Sequence, residues 1–72
     1  MDYILISFNC NEVNDDLKIP TFIKTGELIT MLNEIYQQNA KMLHFDPKGI
    51  ILDTNKTLIE QGVGHGAKLT LR

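Results

Sequence analysis

In 72 residues, the side chains that could attack, ligate a metal or shuttle protons are few: one cysteine, Cys10, and two histidines, His44 and His65. A reactive thiol needs a base or a helix N-terminus beside it to depress its pKa. Cys10 falls in a turn-rich stretch, Asn9-Cys10-Asn11-Glu12-Val13-Asn14-Asp15, with no histidine close in sequence. It reads as an incidental thiol. Zinc sites use four Cys, His or carboxylate ligands at short spacings, and the spacing of Cys10, His44 and His65 supplies no such pair, so both histidines read as surface residues. Gly62-Val63-Gly64-His65-Gly66 has the glycine content of a phosphate cradle. Such loops follow a strand and open a helix whose amides hold the anion, whereas this one leads into an apparent strand. Asp15 and Asp16 precede a strand and have no partner acid for paired acid–base work. The sequence therefore points away from an enzyme, and it implies no cofactor and no metal.

The scaffold that must hold these residues is small. One domain spanning residues 1–72 is all the length permits, burying about 60% of the surface its unfolded chain exposes. Hydrophobic residues make up 43% and charged residues 22%, as in an ordinary globular chain. The net charge is −2, and Lys18, Lys24, Lys41, Lys48, Lys56 and Lys68 stand singly. Nucleic-acid binders carry basic stripes that neutralise phosphates, so no nucleic-acid partner is expected. A lone cysteine excludes an intrachain disulfide. The N-terminal apolar stretch from Tyr3 to Phe8 is too short for a leader or a span. These features predict a cytoplasmic protein without direct membrane insertion.

Period and composition predict the elements. Tyr3 to Phe8 alternates as a strand, with Ile4, Ile6 and Phe8 inward. Asp16 to Ile19 alternates again, with Leu17 and Ile19 inward, and Pro20 stops it. The two strands form a hairpin. Thr25-Gly26-Glu27 opens a helix, Thr25 being suited to cap it and Glu27 to its positive end. Leu28, Leu32 and Ile35, widened by Ile29 and Tyr36, form its inward stripe, and it ends near Gln38 or Asn39. A third strand covers Lys41 to Phe45, the turn Asp46-Pro47-Lys48-Gly49 follows, and Ile50-Ile51-Leu52 is a short fourth strand. Asp53 to Glu60 suits a loop with one helical turn. The last strand runs from Ala67 to Leu71, with Leu69 and Leu71 inward.

That order predicts an α+β, ubiquitin-like β-grasp fold: a mixed sheet of about five strands packed on one helix, with the first and last strands parallel at its centre. The second half resembles ubiquitin through Lys41-Met42-Leu43-His44-Phe45, the buried anchors Thr57-Leu58 and Val63, and Lys68-Leu69-Thr70-Leu71-Arg72. The first half resembles the YukD/EsaB family, small ubiquitin-like accessory proteins of Gram-positive type VII (ESX-type) secretion systems. Tyr3-Ile4-Leu5-Ile6-Ser7-Phe8, Asp16-Leu17-Lys18-Ile19-Pro20-Thr21-Phe22-Ile23 and Leu28-Ile29 carry that likeness. The chain is slightly shorter than that family between helix and third strand.

The resemblance implies a non-catalytic adaptor that supports or regulates a type VII secretion system by contacting a cytoplasmic region of a membrane component. The sequence stops at Leu71-Arg72 without the Gly-Gly that conjugated modifiers and sulfur carriers need, so a non-conjugated protein is expected. The alternative is a modifier or sulfur carrier whose Gly-Gly is missing from this sequence. A third reading is a free-standing ubiquitin-like interaction module of another pathway. The outer sheet face should present Tyr3, Leu5, Ser7, Met42, His44, Lys68, Thr70 and Arg72. In ubiquitin the matching face is an apolar patch; here His44, Thr70 and Arg72 replace apolar groups, so ubiquitin receptors should not recognise it. Tyr3, Leu5 and Met42 are expected to form one apolar island, rimmed by His44, Thr70 and Arg72, as a protein-docking site.

Overall fold

A computed structural model describes residues 2–46 and 48–72. Its chain runs β1 (Tyr3–Cys10), β2 (Val13–Pro20), α1 (Thr25–Tyr36), β3 (Leu43–Asp46), β4 (Ile50–Ile51), a 3₁₀ turn (Ile59–Gln61) and β5 (Ala67–Leu71). The strand order is β2-β1-β5-β3-β4. β1 and β5 are parallel, and the other pairings are antiparallel. This is the ubiquitin-like β-grasp arrangement predicted from the residues.

Alternation builds the core. Ile4, Ile6, Phe8 and Cys10 point inward from β1, Ile19 from β2, Leu43 and Phe45 from β3, and Leu69 and Leu71 from β5. Leu28, Ile29 and Leu32 of α1 join them, and Leu52, Leu58 and Val63, from the segment between β4 and β5, complete the core. Each such side chain contributes roughly 1.5–3 kcal/mol when fully buried.

Several boundaries differ from the sequence reading, each for a local reason. Cys10 is not in the turn: it is the last residue of β1, 2% exposed and paired with Val13. Asn11 adopts φ 53°, so the hairpin closes in two residues and the strand keeps its inward parity through Cys10. Thr25 does not cap the helix. It is fully buried, and its hydroxyl donates to the Lys56 carbonyl (2.8 Å). The first helical amides are satisfied by backbone instead, Thr25 N–H by Lys56 O (2.9 Å) and Gly26 N–H by Thr54 O (3.0 Å). Glycine at position 26 eases this close approach, since a Cβ there would lie 3.1 Å from Thr54 O.

The helix ends at Tyr36, not at Gln38 or Asn39. Gln37 turns left-handed (φ 54°), and the Asn33 side chain clasps Ala40 through both its amide groups. Ile35 is 65% exposed rather than inward. In the last turn Tyr36 takes the inward direction, its ring 4.9 Å from that of Phe8, and its hydroxyl donates to Asp15 (2.7 Å). The third strand begins at Leu43, two residues later than predicted, and Leu52 lies just beyond β4, its N–H donating to Leu43 O. In the predicted turn after β3, Pro47 lies outside the described residues.

Candidate docking face

The sheet face away from α1 is set by strand parity and register. Ser7 lies between Asp16 and Lys68, and Lys68 opposite Asp46, so one row reads Asp16–Ser7–Lys68–Asp46. The next reads Asn14–Asn9–Thr70–His44–Ile51. Leu5 and Lys18 sit before the first row, with Tyr3 and Pro20 beyond them. Met42 and Arg72 lie past the second, each N–H donating to the other's carbonyl at 3.0 Å.

These two polar rows divide the predicted apolar island. Tyr3 and Leu5 are 39% and 49% exposed, and Met42 is 41% exposed. All three do face outward. Yet Leu5 and Met42 are about 20 Å apart along the strands and about 10 Å across them, from the usual strand rise and spacing. The face therefore carries two small apolar groups at opposite ends, with His44, Thr70 and Arg72 grouped around Met42 only.

The Tyr3–Leu5 end is built from three segments. Lys18 on β2 places its ammonium 4.1 Å from the Tyr3 ring centroid, a cation–π contact on one side of the ring. On the other side, the glycine loop abuts β1: Gly66 N–H donates to Leu5 O (2.8 Å), and the Leu5 N–H donates to His65 Nδ1 (3.1 Å). The His65 ring stands edge-on to Tyr3, centroids 6.3 Å apart. Tyr3, Leu5, Ser7, Asp16 and His65 thus border a shallow, mainly apolar depression floored by Ile6 and Gly66.

The Met42 end is richer in polar side chains. The Thr70 hydroxyl donates to Asp46 (2.8 Å), leaving its cross-strand neighbour His44 unserved. His44 Nε2 is buried with no hydrogen-bond partner among the described residues. Ile51, opposite His44 and 55% exposed, adds an apolar group that the sequence reading did not place there. Period 2 from the buried Leu52 would have found it. The role of His65 had no sequence signal, since the contact to Leu5 spans 60 positions.

His65 is an exposed surface residue as read, though it also accepts the Leu5 N–H, whereas His44 is half-buried and Cys10 is enclosed in the core. The Gly62–Gly66 loop does lead into a strand, and Gly62 and Gly66 adopt φ 81° and 80°, as turn glycines do. Among the described residues, no cluster of three or more His, Cys, Asp or Glu side chains could hold a metal. No helix among them is long and apolar enough to cross a membrane.

No protein-family model matches the sequence, and no curated protein does. Solved structures match its shape. The chain is similar to the ubiquitin-like domain of an Arabidopsis thaliana protein (TM-score 0.83, 13% identity, covering 100% of this chain and 78% of that one). It is also similar to the C-terminal ubiquitin-like domain of mouse tubulin-specific chaperone e (0.84, 13%, 99% and 86%). Caldiarchaeum subterraneum ubiquitin is a further match (0.77, 19%, 96% and 90%). At these identities the likeness establishes the fold and leaves the role to the surface.

Proposed function

We propose that the protein is a non-catalytic ubiquitin-like adaptor of a bacterial type VII secretion system, acting through contacts with a cytoplasmic region of a membrane component. The observation that carries the docking role is the exposure of Tyr3 and Leu5 on a central strand. A central strand is rigid, so an apolar pair presented there loses little conformational entropy on binding. Lys18 and His65 hold the pair in place, and Asp16 and Ser7 supply a polar border, the anatomy of a small protein–protein contact. The secretion pathway itself rests on the resemblance of the β1, β2 and early α1 phrases to the YukD/EsaB family.

In-cell crosslinking of the tagged chain in its native host, read by mass spectrometry, tests both parts. The expected catch is a membrane ATPase or another secretion component, reduced at least fivefold by Leu5→Asp. Met42→Asp, made separately, reports whether the second apolar group takes part. Recovery of activating enzymes, or export that proceeds unchanged when the gene is deleted, would overturn the reading.

A further inference from the structure

We propose that His65 is a pH-operated latch between the glycine loop and β1, closed while its ring is neutral and released when the ring takes up a proton. The Leu5 N–H donates to His65 Nδ1 (3.1 Å), so that nitrogen must present a lone pair. In the imidazolium both ring nitrogens carry protons. The acceptor then becomes a donor facing a second donor, and the contact is lost however the ring is turned.

Release asks little of the rest of the sheet. His65 is exposed and lies between Gly64 and Gly66. A Cβ at either glycine would meet nothing within 4 Å, so the tip of the loop has open space to swing into. The bonds that anchor the loop do not involve the ring. Gly66 N–H donates to Leu5 O (2.8 Å), Ala67 N–H donates to Gly64 O (3.2 Å), and regular β1–β5 pairing starts at Ile6 with Ala67. The strands therefore stay paired while the ring leaves.

The charged groups around the ring are balanced in number. Asp16 on β2, Asp46 at the end of β3 and Lys68 on β5 line the same surface depressions as His65. Lys18 on β2 sits over the Tyr3 ring of β1, which His65 meets edge-on. Two carboxylates are thus set against two ammonium groups, and the Leu5 N–H adds a directed contact that only the neutral ring satisfies. Imidazole is the side chain whose charge ordinarily changes between about pH 5 and 8. On release, His65 leaves the border of the Tyr3–Leu5 depression and the Leu5 N–H turns to water. The latch belongs to the chain itself; its consequence, weaker docking of a partner in acid, rests on the docking role proposed above.

The test is a nuclear magnetic resonance titration of the labelled full chain from about pH 8 to about pH 5, following ring-nitrogen and amide signals together. The Leu5 amide signal is expected to move with the same midpoint as the His65 ring. Its hydrogen-exchange protection should fall roughly fivefold, what one net hydrogen bond is worth, while Phe8 and Ile19 keep theirs. His65→Ala should abolish this transition and hold the Leu5 amide at its released position throughout. His44→Val, which removes the other histidine, should retain the transition. A Leu5 amide indifferent to the titration of His65 would overturn the latch. So would a transition that persists in His65→Ala or disappears in folded His44→Val, or a loss of protection spread across the whole sheet.

Discussion

The backbone N–H of Leu5 donates to Nδ1 of His65, 3.1 Å away, so a side chain completes the hydrogen bonding of β1 where β5 has not yet begun. Just beyond, Gly66 N–H donates to the Leu5 carbonyl, and regular pairing starts at Ile6 with Ala67. The acceptor role fixes the neutral imidazole as the Nε2–H tautomer. Nitrogen-15 spectra of His65 near pH 8 should show a proton on Nε2 and none on Nδ1. His65→Ala should cost about 0.5–1.5 kcal/mol, the net worth of one hydrogen bond, and speed amide exchange at Leu5 more than at Ile6.

His44 should be a site of easy stabilisation. Its buried Nε2 has no partner among the described residues, and the adjacent Thr70 hydroxyl is committed to Asp46. An unsatisfied buried polar atom costs about 1–3 kcal/mol, and a β-branched residue suits this strand position between Thr70 and Ile51. His44→Val is expected to raise the urea midpoint without changing the slope of the transition.

Gln61 is the clasp of the loop that seats the helix. Its Nε2 group lies 3.0 Å from the Thr25 hydroxyl and 3.1 Å from the Thr57 carbonyl, and its Oε1 accepts the Asp53 N–H. Thr25 and Gly26 in turn rest their amides on the Lys56 and Thr54 carbonyls. Gln61→Ala should therefore destabilise by about 2 kcal/mol, more than a typical surface substitution. Gln61→Glu should do no better, because the donors are lost. Denaturant unfolding of the two variants measures both.

The 3₁₀ turn carries a reciprocal cap between Thr57 and Glu60. The Glu60 carboxylate accepts the Thr57 N–H (3.0 Å), and the Glu60 N–H donates to the Thr57 hydroxyl (3.3 Å). The Thr57 N–H, followed by the Thr57 hydroxyl, holds the Glu60 pKa below its ordinary 4.5. A lowered folded pKa gives stability that is complete above the unfolded value and lost as pH falls through the folded one. The wild type should thus lose this increment below pH 4.5, and Glu60→Gln should lack that segment of the acid limb. Stability measured from pH 6 to about 3 distinguishes them.

Tyr36 governs the opposite limb. Its hydroxyl donates to Asp15, and this bond, then desolvation, lifts its pKa above 10.0. A raised folded value gives stability present below the unfolded pKa and lost as pH climbs through the folded one. In a Tyr3→Phe background, Tyr36 is the only phenol, and its tyrosinate absorbance should appear above pH 10.0. Asp15→Asn should move it down.

The sequence by itself determined the element order, the parity of each strand and hence the fold. Ile4, Ile6 and Phe8, Leu17 and Ile19, and Leu69 and Leu71 repeat at period 2 whatever their neighbours, and one face must then be buried. The same parity placed Tyr3, Leu5 and Met42 outward. What the tertiary structure alone decided was register and company. Parity says which face a residue takes but not how far along a neighbouring strand it lies, so the split between Leu5 and Met42 became visible only once Asn9, Thr70 and His44 were aligned. Helix periodicity likewise could not tell that Tyr36 rather than Ile35 would turn inward, because the direction of the last turn depends on Phe8, far away in the chain. The inward Thr25, clasped to Gln61, and the His65 side chain joined to β1 are long-range hydrogen bonds. Such bonds form only where the folded backbone brings a donor and an acceptor together, and no local pattern of residues encodes them.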